Sequence, residues 1–183
     1  MTIREKTIFA FADTHGKHRE INIPSDTDIV VFAGDACEAG DQEQLTDFFD
    51  WFAALPVKHK LFVPGNHDLP FEFSPEFAVR MVPRNVTFIE QGEITLDGIR
   101  FYVLPVRPWL HEPLPLPSGV DVLITHGAPK GILDGGGQGC PILMELVDAA
   151  HPQIHLFGHS HLDGGKSLQM GDTLFCNVAM KGG

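Results

Sequence analysis

Seven residues able to bind a metal ion stand immediately after short apolar runs. Asp13 and His15 follow "TIFAFA", Asp35 closes "DIVVFAG", Asn66 follows "KLFVPG", His126 follows "DVLIT", and His159 and His161 follow "QIHLFG". Carboxylates, imidazoles and one amide oxygen make a nitrogen and oxygen donor set without thiolate, which suits borderline divalent ions such as Mn²⁺, Fe or Zn²⁺. Seven donors exceed what a single ion takes from protein while keeping a position open for chemistry. A pair of ions bridged by one carboxylate is the simpler account, and Asp35, alone at its strand end, is the natural bridge.

Such donors meet only if the runs that carry them end at one edge. The runs are short and rich in Val, Ile and Phe, the pattern of strands buried on both faces, and in an open α/β sheet the carboxyl ends of parallel strands share a ligand-binding crevice. Leu45, Phe48, Phe49 and Phe52 in "DQEQLTDFFDWFAALP" follow helical spacing, and Pro56 stops that helix. A second helix is expected from Ser74 as N-cap with Pro75 at its first position, and a third from about Pro141 to Ala150. Asp97-Gly98 and Gly171-Asp172 each separate two β-type runs and predict hairpins. Antiparallel pairs therefore join parallel ones in a mixed sheet system. The stretch 105–119, with five prolines, predicts an extended surface loop.

The chain has 183 residues, 43% hydrophobic and 20% charged, which suits one folded domain over 1–183. A formal net charge of −11 repels polyanions, so long nucleic acid is not expected as a partner. Three scattered cysteines, Cys37, Cys140 and Cys176, predict no disulfide framework and a reducing, cytoplasmic setting. Neither a secretory leader nor a membrane-spanning run is recognisable, so no membrane association is expected.

The blocks Asp13-Thr14-His15, Gly34-Asp35, Gly65-Asn66-His67-Asp68, His126 in "THGAP" and Gly158-His159-Ser160-His161 occur in an order that resembles the calcineurin-like metallophosphoesterases. The resemblance implies an α/β/β/α sandwich of two mixed β-sheets flanked by helices. It further implies that Asp13, His15 and His161 hold one ion, that Asn66, His126 and His159 hold the other, and that Asp35 bridges them. His67 would sit over the substrate phosphate. A metal-bridging hydroxide would attack phosphorus while His67 protonates the leaving oxygen and Asp68 orients His67. Protein phosphatases of this superfamily extend the second block to GDxxDRG, whereas "GDACEAG" lacks the arginine that grips a phosphomonoester dianion. The C-terminal half is similar to small phosphoesterases related to the mammalian MPPED proteins and to bacterial cyclic nucleotide phosphodiesterases. That likeness implies hydrolysis of small phosphodiesters such as 2′,3′- or 3′,5′-cyclic nucleotides. The alternatives are a catalytically silent metal-binding interaction module, or a phosphomonoesterase or nuclease of the same superfamily.

Arg107, Trp109 and His111 in the proline-rich loop are candidates to contact phosphate and stack on a base. Cys37 reads as a small buried filler, His155 as a core histidine, His18 as an edge of the site, and "DGGGQG" at 134–139 as a flexible loop that could touch substrate. Monomer and dimer both remain open.

Overall fold

The computed structural model describes residues 1–180. Its elements in chain order are β1 (Thr2–Ile3), β2 (Lys6–Phe11), β3 (Ile29–Phe32), α1 (Gln42–Ala54), β4 (His59–Phe62), α2 (Pro70–Phe73), α3 (Pro75–Met81), β5 (Thr87–Phe88), β6 (Gly92–Leu96), β7 (Ile99–Val103), β8 (Val122–Ile124), α4 (Pro141–Ala150), β9 (Ile154–Phe157), β10 (Ser167–Met170) and β11 (Thr173–Asn177). They form a five-stranded sheet in the order β1-β2-β3-β4-β5 and a six-stranded sheet in the order β10-β11-β9-β8-β7-β6. Both are mixed. β2 to β5 run parallel with β1 reversed, and β7, β8, β9 and β11 run parallel with antiparallel hairpin strands at each edge.

Alternation along the strands explains the layers. Ile29 and Val31 of β3 and Leu61 of β4 face the second sheet, where they pack with Phe101, Val122, Ile124, Ile154 and Leu156. The intervening Val30, Phe32 and Phe62 face outward onto Leu45, Phe48, Phe49 and Phe52 of α1. On the far side Leu123, Phe157 and Phe175 pack on Leu143 and Val147 of α4. Two strands' worth of side chains thus serve two cores at once, which is why the runs read as continuously apolar. Burying a phenylalanine such as Phe48, which has no exposed surface, contributes about 2 to 3 kcal/mol. β2 departs from this pattern, because only Ile8 and Phe11 of its six residues are fully buried.

The expected two-sheet sandwich flanked by helices is what forms. Helix α1 is capped by Asp41, whose carboxylate accepts from the amides of Glu43 and Gln44 at 3.0 and 3.1 Å. Both predicted hairpins are present, with Leu96 paired to Ile99 and Met170 to Thr173. Ser74 does precede α3, but its side chain makes no capping bond. Its own amide already donates to Pro70 O at 2.9 Å, closing α2, a one-turn helix too short to show periodicity in sequence. Helix α4 spans the expected residues and is capped by a thiol, Cys140 Sγ accepting from the Leu143 amide at 3.4 Å. Among the described residues no helix is long and apolar enough to cross a membrane.

The two sheets are stitched together at their carboxyl edge. Ala12, just past β2, donates to Val178 O at 3.0 Å and accepts from the Met180 amide at 2.9 Å, just past β11. That seam brings the strand ends of one sheet against those of the other.

Candidate metal centre

Donors follow the ends of β2, β3, β4, β8 and β9. Asp13, His15, Asp35 and His159 all adopt left-handed backbone conformations, with φ of 59°, 41°, 65° and 66°. Non-glycine residues avoid that region unless the surroundings impose it, and such strain collects at functional sites. Here it is imposed by cross-links between strand ends. The amides of Asp13 and His15 donate to Gly34 O and Asp35 O at 2.8 and 3.1 Å, and the Gly158 amide donates to His126 O at 2.9 Å.

Each central carboxylate is fixed by one oxygen and leaves the other free. Asp13 Oδ2 accepts from the His159 amide at 2.8 Å, and Asp35 Oδ1 accepts from the His67 amide at 2.8 Å. A side chain at Gly65 would collide with Asp35 Oδ1, and one at Gly158 with Asp13 Oδ2, so both positions must stay bare for the carboxylates to sit where they do. The free oxygens then face imidazoles. Asp13 Oδ1 lies 3.4 Å from His161 Nε2, 3.8 Å from His15 Nε2 and 3.9 Å from His126 Nε2. Asp35 Oδ2 lies 3.2 Å from His126 Nε2 and 3.7 Å from His15 Nε2. His126 donates from Nδ1 to Ala33 O at 2.7 Å, which turns Nε2 toward the carboxylates.

Two donor groups result, Asp13 with His15 and His161, and Asp35 with His126 and His159. A third comprises His15, Glu38 and His67. Asp13 Oδ1, Asn66 Oδ1 and His126 Nε2 are shut off from water without a hydrogen-bond partner. Buried polar atoms are nearly always satisfied, and leaving one unsatisfied costs roughly 1 to 3 kcal/mol. Divalent cations, which need lone pairs and tolerate no competing proton, fit such atoms. Burial opposes charge on His126, but the carboxylates of Asp35 and Asp13 overcome it and raise its pKa to about 10. Burial likewise opposes charge on Asp13, yet His126, the nearby imidazoles of His15 and His161 and the His159 amide hold it well below the usual carboxylate range. Burial and the neighbouring His126 push His159 down.

His67 is half-buried and lines a cavity of about 260 Å³ with His15, Lys17, Glu38 and His161. Its Nδ1 lies 3.1 Å from Glu38 Oε1 and 3.3 Å from the Ala39 amide. The role expected for Asp68 is corrected by its contacts. It is fully buried, and its carboxylate accepts from the amides of Asp35, Gly65, Ala36 and Cys37 at 2.8, 2.9, 2.9 and 3.3 Å. It locks the Asp35 turn to the Gly65 turn, and the group beside His67 is instead Glu38. Burial first, and then the charge of Asp35, raise Asp68 to about 6. Glu38 was missed in the sequence, although an acid three residues after Asp35 matches the GDxxD part of the phosphatase block.

The loop residues are placed elsewhere. Arg107 forms an ion pair with Glu90 and lines a separate cavity of about 430 Å³ with Phe71, Glu72, Pro75, Glu90 and Pro105, none of them a candidate ligand. It is not among the residues lining the cavity beside His15, His67 and His161. Trp109 is about half exposed and donates from Nε1 to Gln138 O at 2.8 Å, tying the proline-rich loop to the glycine loop. His111 is exposed. The glycine loop is organised by Asp134, which accepts from the amides of Gly131, Gly137 and Gly139 at 2.8 to 2.9 Å. His18 is buried and bonded to Asp47 at 2.9 Å, between Phe48 and Trp51. His155 is a core histidine, bonded through Nε2 to Thr125 Oγ1 at 2.9 Å, and Cys37 is buried with its thiol pushed up by desolvation.

A family model described as calcineurin-like phosphoesterase matches residues 6–163. The chain is 30% identical to a UPF0046 protein of Caenorhabditis elegans, over 94% of this chain and 69% of that protein. It is 29% identical to human metallophosphoesterase domain-containing protein 1, over 92% of this chain and 64% of that protein, so it spans about two thirds of the length of these relatives. Phosphopantetheinyl hydrolase from Mycobacterium tuberculosis shares the fold with a TM-score of 0.65 at 14% identity, over 96% of this chain and 89% of that one. With the matched region running from β2 through the last histidine of the cluster, the chain belongs to the calcineurin-like phosphoesterase family.

Proposed function

We propose that the protein is a dinuclear metal-dependent phosphodiesterase acting on small phosphodiesters, with 2′,3′- and 3′,5′-cyclic nucleotides as first candidates. The observation that carries this reading is the set of buried, unpartnered donor atoms on Asp13, Asn66 and His126, flanked by His15, Asp35, His159 and His161. Asp13, His15 and His161 would hold one ion and Asn66, His126 and His159 the other, with Asp35 Oδ2 3.7 Å from His15 Nε2 and 3.2 Å from His126 Nε2. The nitrogen and oxygen donors suit Mn²⁺, Fe or Zn²⁺. When bound, the ions supply an activated water and neutralise charge on the phosphoryl oxygens.

The remaining work falls to side chains. His67 donates a proton from Nε2 to the leaving oxygen, and its Nδ1 has a partner in either state, giving a proton to Glu38 or accepting one from the Ala39 amide. Ala39 occupies the place of the phosphatase arginine, which favours a diester over a monoester dianion. The net charge of −11 favours a compact substrate over a nucleic acid polymer. Three buried free thiols suit a reducing compartment such as the cytoplasm.

The deciding experiment compares bis-p-nitrophenyl phosphate with p-nitrophenyl phosphate, using protein stripped by chelator and reloaded with Mn²⁺. Metal-dependent turnover favouring the diester is expected. Preference for the monoester would move the assignment to a phosphomonoesterase, and no metal-dependent rate on either would leave a silent binding module.

A further inference from the structure

We propose that Lys17 binds a second anionic group on the substrate, so that the preferred diester carries a charge beyond its scissile phosphate. The proposal rests on the phosphodiesterase reading and adds a substrate class to it.

Lys17 lines the same cavity as His15, His67 and His161 and contributes its only cationic side chain other than the imidazoles. The one carboxylate in that lining is engaged: Glu38 approaches His15 Nδ1 at 3.2 Å and His67 Nδ1 at 3.1 Å. Among the described residues no carboxylate lies within ion-pair reach of the Lys17 ammonium, in a chain where acids outnumber bases by 24 to 13. The other cations near these loops are committed, Arg19 to Asp47 at 2.6 Å and Arg107 to Glu90.

The root of the lysine is also fixed. Its amide donates to Thr14 O at 2.7 Å and its carbonyl accepts from the Glu20 amide at 3.0 Å, so the turn after Asp13 and His15 holds it at the rim. The side chain is exposed there, whereas Asp13, Asp35 and His126 are buried. A second phosphate or carboxylate several bonds from the scissile ester meets the ammonium at that rim. A nucleotide diester with a terminal phosphate is such a molecule. An uncompensated ammonium at a cavity mouth attracts such a group over distances of about a Debye length, roughly 8 Å at physiological salt.

The test uses two esters that share a leaving group, thymidine 5′-(p-nitrophenyl phosphate) with and without a 3′-phosphate, and the Mn²⁺-loaded full chain. For the wild type, kcat/KM is expected to favour the 3′-phosphorylated ester by roughly tenfold, the worth of one charge-assisted contact. In Lys17→Met that ratio falls to near one, and in Lys17→Arg it is kept. A ratio near one in the wild type, or one unchanged in Lys17→Met because both esters lose equally, overturns the proposal. The second outcome would put the lysine on the scissile phosphate. Calorimetric binding of thymidine 3′,5′-bisphosphate against thymidine 5′-monophosphate gives the same ratio without turnover. It decides the role of Lys17 even where the wild type hydrolyses neither ester and the phosphodiesterase reading fails.

Discussion

Asn177 is the most informative single substitution outside the donor set. Its side chain is 1% exposed and satisfied at both ends: Nδ2 donates to Leu133 O at 3.0 Å and to Ser160 O at 2.9 Å, and Oδ1 accepts from the Ala179 amide at 3.0 Å. One amide therefore ties Leu133 at the start of the glycine loop, the turn between His159 and His161, and the seam residue Ala179. Asn177→Asp keeps the shape but sets a carboxylate oxygen against two carbonyls. Two lost bonds, each leaving a buried acceptor without its donor, cost about 1 to 2 kcal/mol apiece, so the loss is about 2 to 4 kcal/mol before repulsion is added. With a urea slope of about 2 kcal/mol per M, the unfolding midpoint falls by about 1 to 2 M in metal-free protein. Because the turn carries His159 and His161, Mn²⁺ affinity measured by calorimetry falls with it. The deficit shrinks toward low pH, where a protonated aspartic acid regains one donor. A midpoint within 0.3 M of wild type, roughly the error of the method, would refute the reasoning.

Asp68→Ala removes the acceptor of four backbone amides and is expected to cost roughly 3 to 5 kcal/mol in urea unfolding. A loss below about 1 kcal/mol accompanied by a large fall in turnover would return Asp68 to a role beside His67. Gly158→Ala drives a methyl group into the Asp13 carboxylate and is expected to weaken Mn²⁺ binding at least about tenfold by calorimetry. Unchanged affinity would show that Asp13 is free to move. His155, whose pKa burial pushes down to about 3, stays neutral in the fold while the unfolded chain takes up a proton below about 6.5. Stability is therefore lost as pH falls through that window, at up to about 1.4 kcal/mol per unit from this group. Urea midpoints of metal-free wild type and His155→Gln should diverge less at pH 4.5 than at pH 7, and parallel curves would exclude the effect.

The sandwich was legible because its information is local. Strands such as Ile29–Phe32 serve two cores and so read as unbroken apolar runs, and α1 shows its face in four residues at helical spacing. The donors were legible because each follows a strand end, and parallel strands bring their ends to one edge. What could not be read depended on which backbone groups lie near which side chains. Asp68 stands next to His67 in sequence, yet the turn at Gly65 points it at the amides of a loop some thirty residues away. Arg107 looked free because no acid lies within four residues of it in sequence, whereas Glu90, seventeen residues earlier, pairs with it. Helix α2 is a single turn, below the length at which periodicity carries a signal.

The bond from the His159 amide to Asp13 spans 146 residues of sequence. During synthesis the earliest donor thus waits for nearly the whole polypeptide to emerge before its orientation is set. A nascent fragment ending before β9 displays Asp13, His15 and Asp35 but lacks the amide that aims Asp13, so tight cation capture is postponed until the two halves of the chain have closed on each other.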